Sequence, residues 1–276
     1  MLKKAYLEIT DICNLNCSFC HGTSRRKGFI SVEDFTSAAT ELRKVTEYLY
    51  LHLMGEPLLH PGLEKILEVC SELKFKTVIT TNGVLLGEKG DILLNSPALY
   101  KVSISLHSFE ANDKALIDFD AYLDNICRFA LSASEKGVLV SMRLWNNGGK
   151  DSLNDKIKAV LGKYFTDEPR ENRKGLTLTK NVFLEYGDKF DWPDVNAPER
   201  DVRFCMGLRD HIGVLFDGTV VPCCLDADGN IPLGNIFNEN IEDILKSGKA
   251  KEIYDGFTSH KPTEEMCKRC GYAERF

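Results

Sequence analysis

The chain has 276 residues, room for one large α/β domain with a small appendage or for two domains. With 43% hydrophobic and 28% charged residues it is a globular rather than a disordered composition, and a net charge of −6 argues against a dedicated nucleic-acid binder, which carries a basic excess. No stretch approaches the roughly 18 apolar residues of a membrane span, and "MLKKAYLEIT" enters a strand-like run without the apolar segment of a secretory signal. A cytoplasmic, reducing location is therefore expected, where ten cysteines serve as metal ligands, catalytic groups or buried small hydrophobes rather than disulfides.

In chain order, a first strand over 5–10 runs into "TDICNLNCSFCHG", which spaces Cys13, Cys17 and Cys20 as C-x3-C-x2-C. "SRRKG" (24–28) reads as a solvated basic loop. Ser31 caps a helix with Asp34 in capping-box position, and the stripe Val32, Phe35, Ala38, Leu42 and Val45 faces inward. A strand over 48–54 enters "LMGEPLLHP", and Pro61 suits the first turn of a helix bearing Leu63, Ile66, Leu67, Cys70 and Leu73. Strands follow over 77–81 ("ITTNG" at its end), 101–106 (within "VSISLHS"), 138–144 ("SMRLW") and 181–186. Helical patterns between them carry Leu123, Ile126, Cys127 and Ala130, and then span 151–164. Cys70 and Cys127 fall on apolar faces and read as packed core.

Several strands are near-continuous apolar runs, the pattern of parallel strands covered on both faces. Six βα repeats predict an α/β fold, either a partial (β/α)6 barrel or a doubly wound sheet. In both, the working face lies at the carboxyl ends of the strands. The three clustered cysteines follow the first strand and so belong to that face.

After residue 186 the polar "YGDKFDWPDVNAPERD" reads as a linker. "HIGVLFDGTVVPCC" then predicts a β-hairpin turning at Asp217-Gly218. A helix is expected over 240–254, capped by Asn240 with Asp243 three residues on. The expected domains are 1–199 and 200–276. An appendage of the second size commonly needs a metal or similar staple.

Three thiolates on one loop suit three irons of a 4Fe-4S cube, leaving the fourth iron without a protein ligand. An open position marks a catalytic metal rather than a structural one. Zinc with a remote ligand such as His21 is the alternative. The C-x3-C-x2-C loop after a first strand, with Phe19 just before the last cysteine, resembles the radical S-adenosylmethionine (SAM) superfamily. "LMGEPLLHP" is similar to its glycine–glutamate motif at Gly55 and Glu56, and "ITTNG" and "VSISLHS" are similar to its third and fourth strands, so the resemblance covers essentially the whole chain.

It implies a partial barrel and an oxygen-sensitive enzyme that reductively cleaves SAM to a 5′-deoxyadenosyl radical, which abstracts a hydrogen atom from a substrate. Cys13, Cys17 and Cys20 would ligate the SAM-binding cluster. Glu56 and the backbone around Gly55 would hold the SAM amino group, Phe19 would pack near the adenine, and Arg143 would pair with the carboxylate. Ser105 and Asn82 would contact the ribose or backbone. The sequence departs from many members at His107, which stands where they carry an acidic residue.

Farther on, Cys205, Gly218 and Cys223 give C-x12-G-x4-C, and the chain closes with C-x2-C at Cys267 and Cys270. This is similar to the twitch domain, the shortened form of the SPASM extension. It implies one closed auxiliary 4Fe-4S cluster on Cys205, Cys223, Cys267 and Cys270, with Cys224 the spare neighbour of Cys223. A structural zinc on the same four is the alternative. The expected reaction is oxidation or cross-linking of a carbohydrate-like small molecule or a peptide side chain. The auxiliary cluster would accept an electron, and flavodoxin or ferredoxin would be the external one-electron donor. An RNA-modifying enzyme is the next reading, disfavoured by the acidic charge. An iron–sulfur electron carrier or sensor is a third, disfavoured by the open position and the Gly55-Glu56 motif.

Overall fold

The computed structural model describes residues 1–112 and 118–276. Among these, eleven strands join in one sheet: β1 (Lys4–Leu7), β2 (Tyr48–Tyr50), β3 (Lys76–Thr81), β4 (Leu99–Ser105), β5 (Leu139–Asn147), β6 (Arg170–Asn172), β7 (Gly175–Thr179), β8 (Val182–Asp188), β9 (His211–Val214), β10 (Thr219–Val221) and β11 (Gly234–Asn235). Their spatial order is β11-β10-β9-β1-β2-β3-β4-β5-β8-β7-β6. The six strands expected from the sequence are β1 to β5 and β8, all parallel neighbours. The helices are α1 (Val32–Arg43), α2 (Leu63–Glu72), α3 (Leu86–Leu94), α4 (His107–Glu110), α5 (Phe119–Glu135), α6 (Asn154–Tyr164), α7 (Ile241–Lys246), α8 (Gly248–Thr258) and α9 (Glu265–Lys268). None of the described helices is long and apolar enough to cross a membrane.

Strand side chains alternate, so the two faces of the sheet have different chemistry. Ala5, Leu7, Leu49, Ile79, Val102, Ile104, Val140, Met142 and Leu184 face the helices and form the main core with Phe35, Leu42, Ile66 and Ile126. The residues between them face the concave side: Lys4, Tyr6, Tyr50, Lys101, Ser103, Ser105, Ser141, Arg143 and Glu185. The sheet curls far enough for Arg143 on β5 to interact electrostatically with Tyr6 on β1. The result is an open half-barrel with a polar lumen.

Local signals act much as the sequence suggests. The Ser31 hydroxyl accepts from the Asp34 amide at 3.0 Å and starts α1. Cys70 and Cys127 are fully buried on the inner faces of α2 and α5.

Four readings need correction. The expected strand over 48–54 leaves the sheet after Tyr50, and the remainder forms the loop that meets the first cysteines. The expected helix over 240–254 breaks at Ser247, which ends α7 and caps α8 through its hydroxyl and the Ala250 amide. Asn240 stands at the N-cap without a side-chain cap bond. "SRRKG" is solvated only in part: Ser24, Arg26 and Lys27 are exposed, but Arg25 is nearly buried, and one of its nitrogens bridges both Glu8 oxygens at 2.9 and 2.7 Å.

The C-terminal hairpin β9–β10 does not form a sheet of its own. β9 pairs in parallel with β1, Lys4 opposite His211 and Leu7 opposite Val214, and so extends the half-barrel past its first strand. The hairpin β6–β7 extends it past β8; the sequence reading did not find it.

Candidate functional site

The cysteine loop leaves the top of β1 and is built before any ligand is considered. Thr10 Oγ1 donates to the Gly28 carbonyl and accepts from the Ile12 amide. The Ser18 amide donates to the Ala111 carbonyl, and the Asn16 amide to Asn112 Oδ1. Asn112 Nδ2 also donates to Cys17 Sγ at 3.2 Å, and the Leu15 amide to Cys13 Sγ at 3.4 Å. Burial raises the Cys13 and Cys17 thiols, Cys17 to about 11; Glu56 and Cys20 raise Cys13 further, and Cys13 and Cys20 raise Cys17. Cys13 and Cys17, whose thiols resist ionising yet already receive N–H donors, stand with Cys20 on one loop and form a site that a cationic iron group would satisfy. Among the described residues no three His, Cys, Asp or Glu side chains stand close enough to share one ion. A four-iron cube does not require that, since each iron takes a single thiolate.

The Gly55 loop is bolted to this one. Gly55 has φ +72°, and a Cβ there would stand 2.3 Å from the Thr10 carbonyl oxygen, so no other residue fits. The Glu56 amide donates to the Ile12 carbonyl. The Glu56 carboxylate is turned inward: its oxygens accept from the Leu58 amide at 3.1 Å and the Asn82 amide at 2.7 Å. Asn82 in turn donates from Nδ2 to Asn14 Oδ1 at 2.7 Å and lies 3.8 Å from Cys13 Sγ. Glu56 and Asn82 therefore tie the ends of β2 and β3 to the cysteine loop, and their side chains are already engaged there.

Burial lifts the Glu56 carboxyl to about 7. A carboxyl raised above its ordinary 4.5 binds its proton more tightly when folded. It therefore stabilises fully below pH 4.5, and that stability is lost as pH rises toward 7. The span corresponds to roughly 3 kcal/mol. Glu56→Gln is expected to flatten the fall in melting temperature of the cluster-free protein between pH 5 and 7. Parallel melting profiles for the two proteins would show that Glu56 does not carry it.

Phe19 and His107 face each other with ring centres 4.9 Å apart. With Ser18, Trp145, Gly148 and Lys150 they line a cavity of about 330 Å³, within the range of small-ligand pockets. His107 Nδ1 lies 3.0 Å from the Arg143 carbonyl, and burial pushes its pKa down to about 4, so it is neutral near pH 7. The Ser105 carbonyl accepts from the Ser108 hydroxyl at 2.6 Å. The Arg143 side chain runs down the lumen: one terminal nitrogen donates to Ser103 Oγ at 2.8 Å, and the guanidinium stacks on Trp145 at 4.5 Å. The hydrogen-bond, ring and ion-pair partners of its side chain lie on β4, β5 and β8 and not on the cysteine loop.

The second cysteine set gathers at the other end of the chain. A Cβ on Gly207 would touch Cys223 Cβ and Cys205 Sγ, which brings these two cysteines together beside it. Burial, and then the neighbouring thiols, raise Cys223 and Cys267; Cys205 acts on both and on Cys270. Cys224 also lies within electrostatic reach of Cys223 and Cys205, but its side chain has partners of its own. Its thiol bonds the Tyr6 hydroxyl, and it packs with Leu53, Leu215 and Val221 in the lumen.

Four supports escaped the sequence reading. Glu8 accepts from Arg25, from the Met54 amide at 3.2 Å and from the Phe216 amide at 3.3 Å. A charged residue inside the apolar run "YLEIT" was its signal. Asn112 gave none. Asp228 accepts from the Thr23 hydroxyl and the Ser24 amide, both at 2.7 Å, and lies 3.7 Å from His21 Nε2. Trp192, in the stretch read as a linker, donates to the Phe19 carbonyl and stacks on His21.

These features have relatives. Residues 7–147, just over half the chain, match the model of the radical SAM superfamily, and 205–271 match SPASM, an iron–sulfur cluster-binding domain. A probable GTP 3′,8-cyclase of Methanothermobacter thermautotrophicus is 30% identical over 292 residues, covering 90% of this chain and 91% of that protein. A GTP 3′,8-cyclase of Aquifex aeolicus is 27% identical over 69% of this chain, and the antilisterial bacteriocin subtilosin biosynthesis protein AlbA of Bacillus subtilis 25% over 97%. Those matches span 59% and 65% of the two relatives' lengths. Among solved structures, BtrN in complex with AdoMet and 2-DOIA superposes with a TM-score of 0.64 at 17% identity, covering 98% of this chain and 93% of that one. With three thiols at the head of a parallel half-barrel and a second cysteine group in the matching C-terminal segment, the chain belongs to the radical SAM superfamily and takes SAM, a SAM-binding 4Fe-4S cluster and auxiliary iron–sulfur as its cofactors.

Proposed function

We propose that the protein abstracts a hydrogen atom from a substrate held in the half-barrel lumen and completes a net two-electron oxidation or cross-link. The observation that carries this reading is the loop at the head of β1: three thiols, each engaged by N–H donors or neighbouring thiols, above a polar lumen. The bound cofactor supplies the hard step, reductive cleavage of SAM to a 5′-deoxyadenosyl radical. Cys13, Cys17 and Cys20 would hold the cluster, with Asn112 and Asn82 orienting its sulfur ligands. Phe19, His107 and Trp145 offer the apolar cavity that suits an adenine. The backbone around Gly55 would receive the amino group, since the Glu56 carboxylate is engaged inward.

Cys205, Cys223, Cys267 and Cys270 would close one auxiliary cluster. The substrate would then lose a hydrogen atom to the SAM-derived radical, an electron to that cluster and a proton to solvent. A flavodoxin or ferredoxin would provide the initiating electron in a cytoplasmic setting. A small molecule and a peptide both fit this scheme: the relatives include AlbA, named for bacteriocin biosynthesis, and the fold neighbour BtrN carries 2-DOIA.

The test is anaerobic reconstitution with iron and sulfide. The intact protein should bind about eight irons per chain and convert SAM to 5′-deoxyadenosine on reduction. Cys223→Ala should hold about four irons and Cys224→Ala about eight. The opposite order would exchange the two ligand assignments, and about four irons with one zinc in the intact protein would remove the auxiliary cluster from the scheme.

A further inference from the structure

Three cations from three strands meet in the lumen: Lys4 on β1, Lys101 on β4 and Arg143 on β5. One carboxylate lies among them. Glu185 Oε1 stands 3.4 Å from Lys101 Nζ, and Oε2 stands 4.0 Å from Arg143 Nε. Lys4 has no carboxylate at ion-pair distance among the described residues. Its ammonium lies 5.1 and 5.0 Å from the ring centres of Tyr6 and Tyr50, and the nearby Asp210 is paired with Lys3 at 2.7 Å. The histidines of this face add no charge: burial pushes His52 down to about 3 and His211 to about 4, which leaves both neutral. In a chain of net charge −6 the lumen is locally positive.

Hydrogen-bonding capacity is left over in the same place. Arg143 Nε, His52 Nδ1 and Thr80 Oγ1 are buried and have no hydrogen-bond partner. Burial depresses the basicity of Lys4, Lys101 and Arg143, and the Arg143 charge depresses both lysines further. Crowding like charges and unpaired polar atoms into a low-dielectric space is unfavourable unless something of opposite charge enters it.

We propose that the lumen binds an anionic group of the substrate, a phosphate or a carboxylate, between Lys4, Lys101 and Arg143. This rests on the reading of the lumen as the substrate site. It gives Arg143 a substrate rather than a SAM contact, in keeping with the downward course of its side chain.

The test uses the anaerobically reconstituted protein with SAM bound and two probes, pyrophosphate and glutarate, in titration calorimetry. One of the two should bind, with affinity falling as salt rises, and the one that does identifies the anion as phosphoryl or carboxylate. Lys101→Met and Lys4→Met should each weaken that binding at least tenfold, while Lys65→Met on the outer face of α2 should not change it. Binding of neither probe, or equal binding by all variants, overturns the proposal. If the same preparation still forms 5′-deoxyadenosine, the proposed function stands without it; if it does not, the function itself fails.

Discussion

Cys17→Ala is expected to halve the iron of the reconstituted protein, from about eight to about four per chain, and to reduce 5′-deoxyadenosine formation to background. Cys17 is the middle cysteine of the loop, and its sulfur receives the Asn112 side-chain amide at 3.2 Å. Removing it leaves two thiols for a cube that needs three. Asn112→Ala keeps all three thiols and removes only the donor that orients one of them, so it should weaken cluster binding by about 10- to 100-fold. Cys70→Ala is the control: that thiol is sealed inside the helix-facing core and should cost stability without changing iron. Iron and sulfide analysis with electron paramagnetic resonance separates the three. A Cys17→Ala protein that still cleaves SAM would remove this loop from the active site.

The second large effect falls on stability. Glu8→Ala should lower the unfolding free energy by about 3–5 kcal/mol, read from denaturant melts of the cluster-free protein. Glu8 is fully buried at the head of β1, and its carboxylate serves Arg25 and the amides of Met54 and Phe216. Truncation strands a guanidinium that is only 11% exposed and leaves two amides without their acceptor. Arg25 also donates from Nε to the Ala227 carbonyl at 2.7 Å, so the loss reaches the C-terminal segment. The double variant Glu8→Leu/Arg25→Met should recover much of the loss, because the stranded charge is gone. Equal destabilisation in the single and double variants would show that the ion pair is not its source.

The parallel sheet was legible because its strands are local apolar runs and most of them alternate with helical stripes. The cysteine loop was legible because its three cysteines sit within eight residues. What remained hidden is long-range. No local pattern announces that β9 pairs with β1, since Lys4 and His211 are 207 positions apart. Asn112, Asp228 and Trp192 support the cysteine loop from distant segments, and in sequence each is an ordinary polar or aromatic loop residue. The sequence assigned Glu56 an outward task because motif spacing does not reveal side-chain direction. Its inward turn follows from the two amides that need an acceptor there. The break at Ser247 was written in the sequence as Ser-Gly within a helical pattern.

The pairing of β1 with β9 also orders events during synthesis. β1 and its cysteine loop are among the first segments made, but one edge of β1 stays unpaired until residues 211–214 have been added. The carboxylate of Glu8 likewise waits for the Phe216 amide, and Thr23 waits for Asp228. A contact spanning so much chain closes late and slowly. The cradle for the first cluster is thus completed by the last quarter of the protein, so a nascent chain shorter than about 230 residues has its three cysteines but not the structure that aims them.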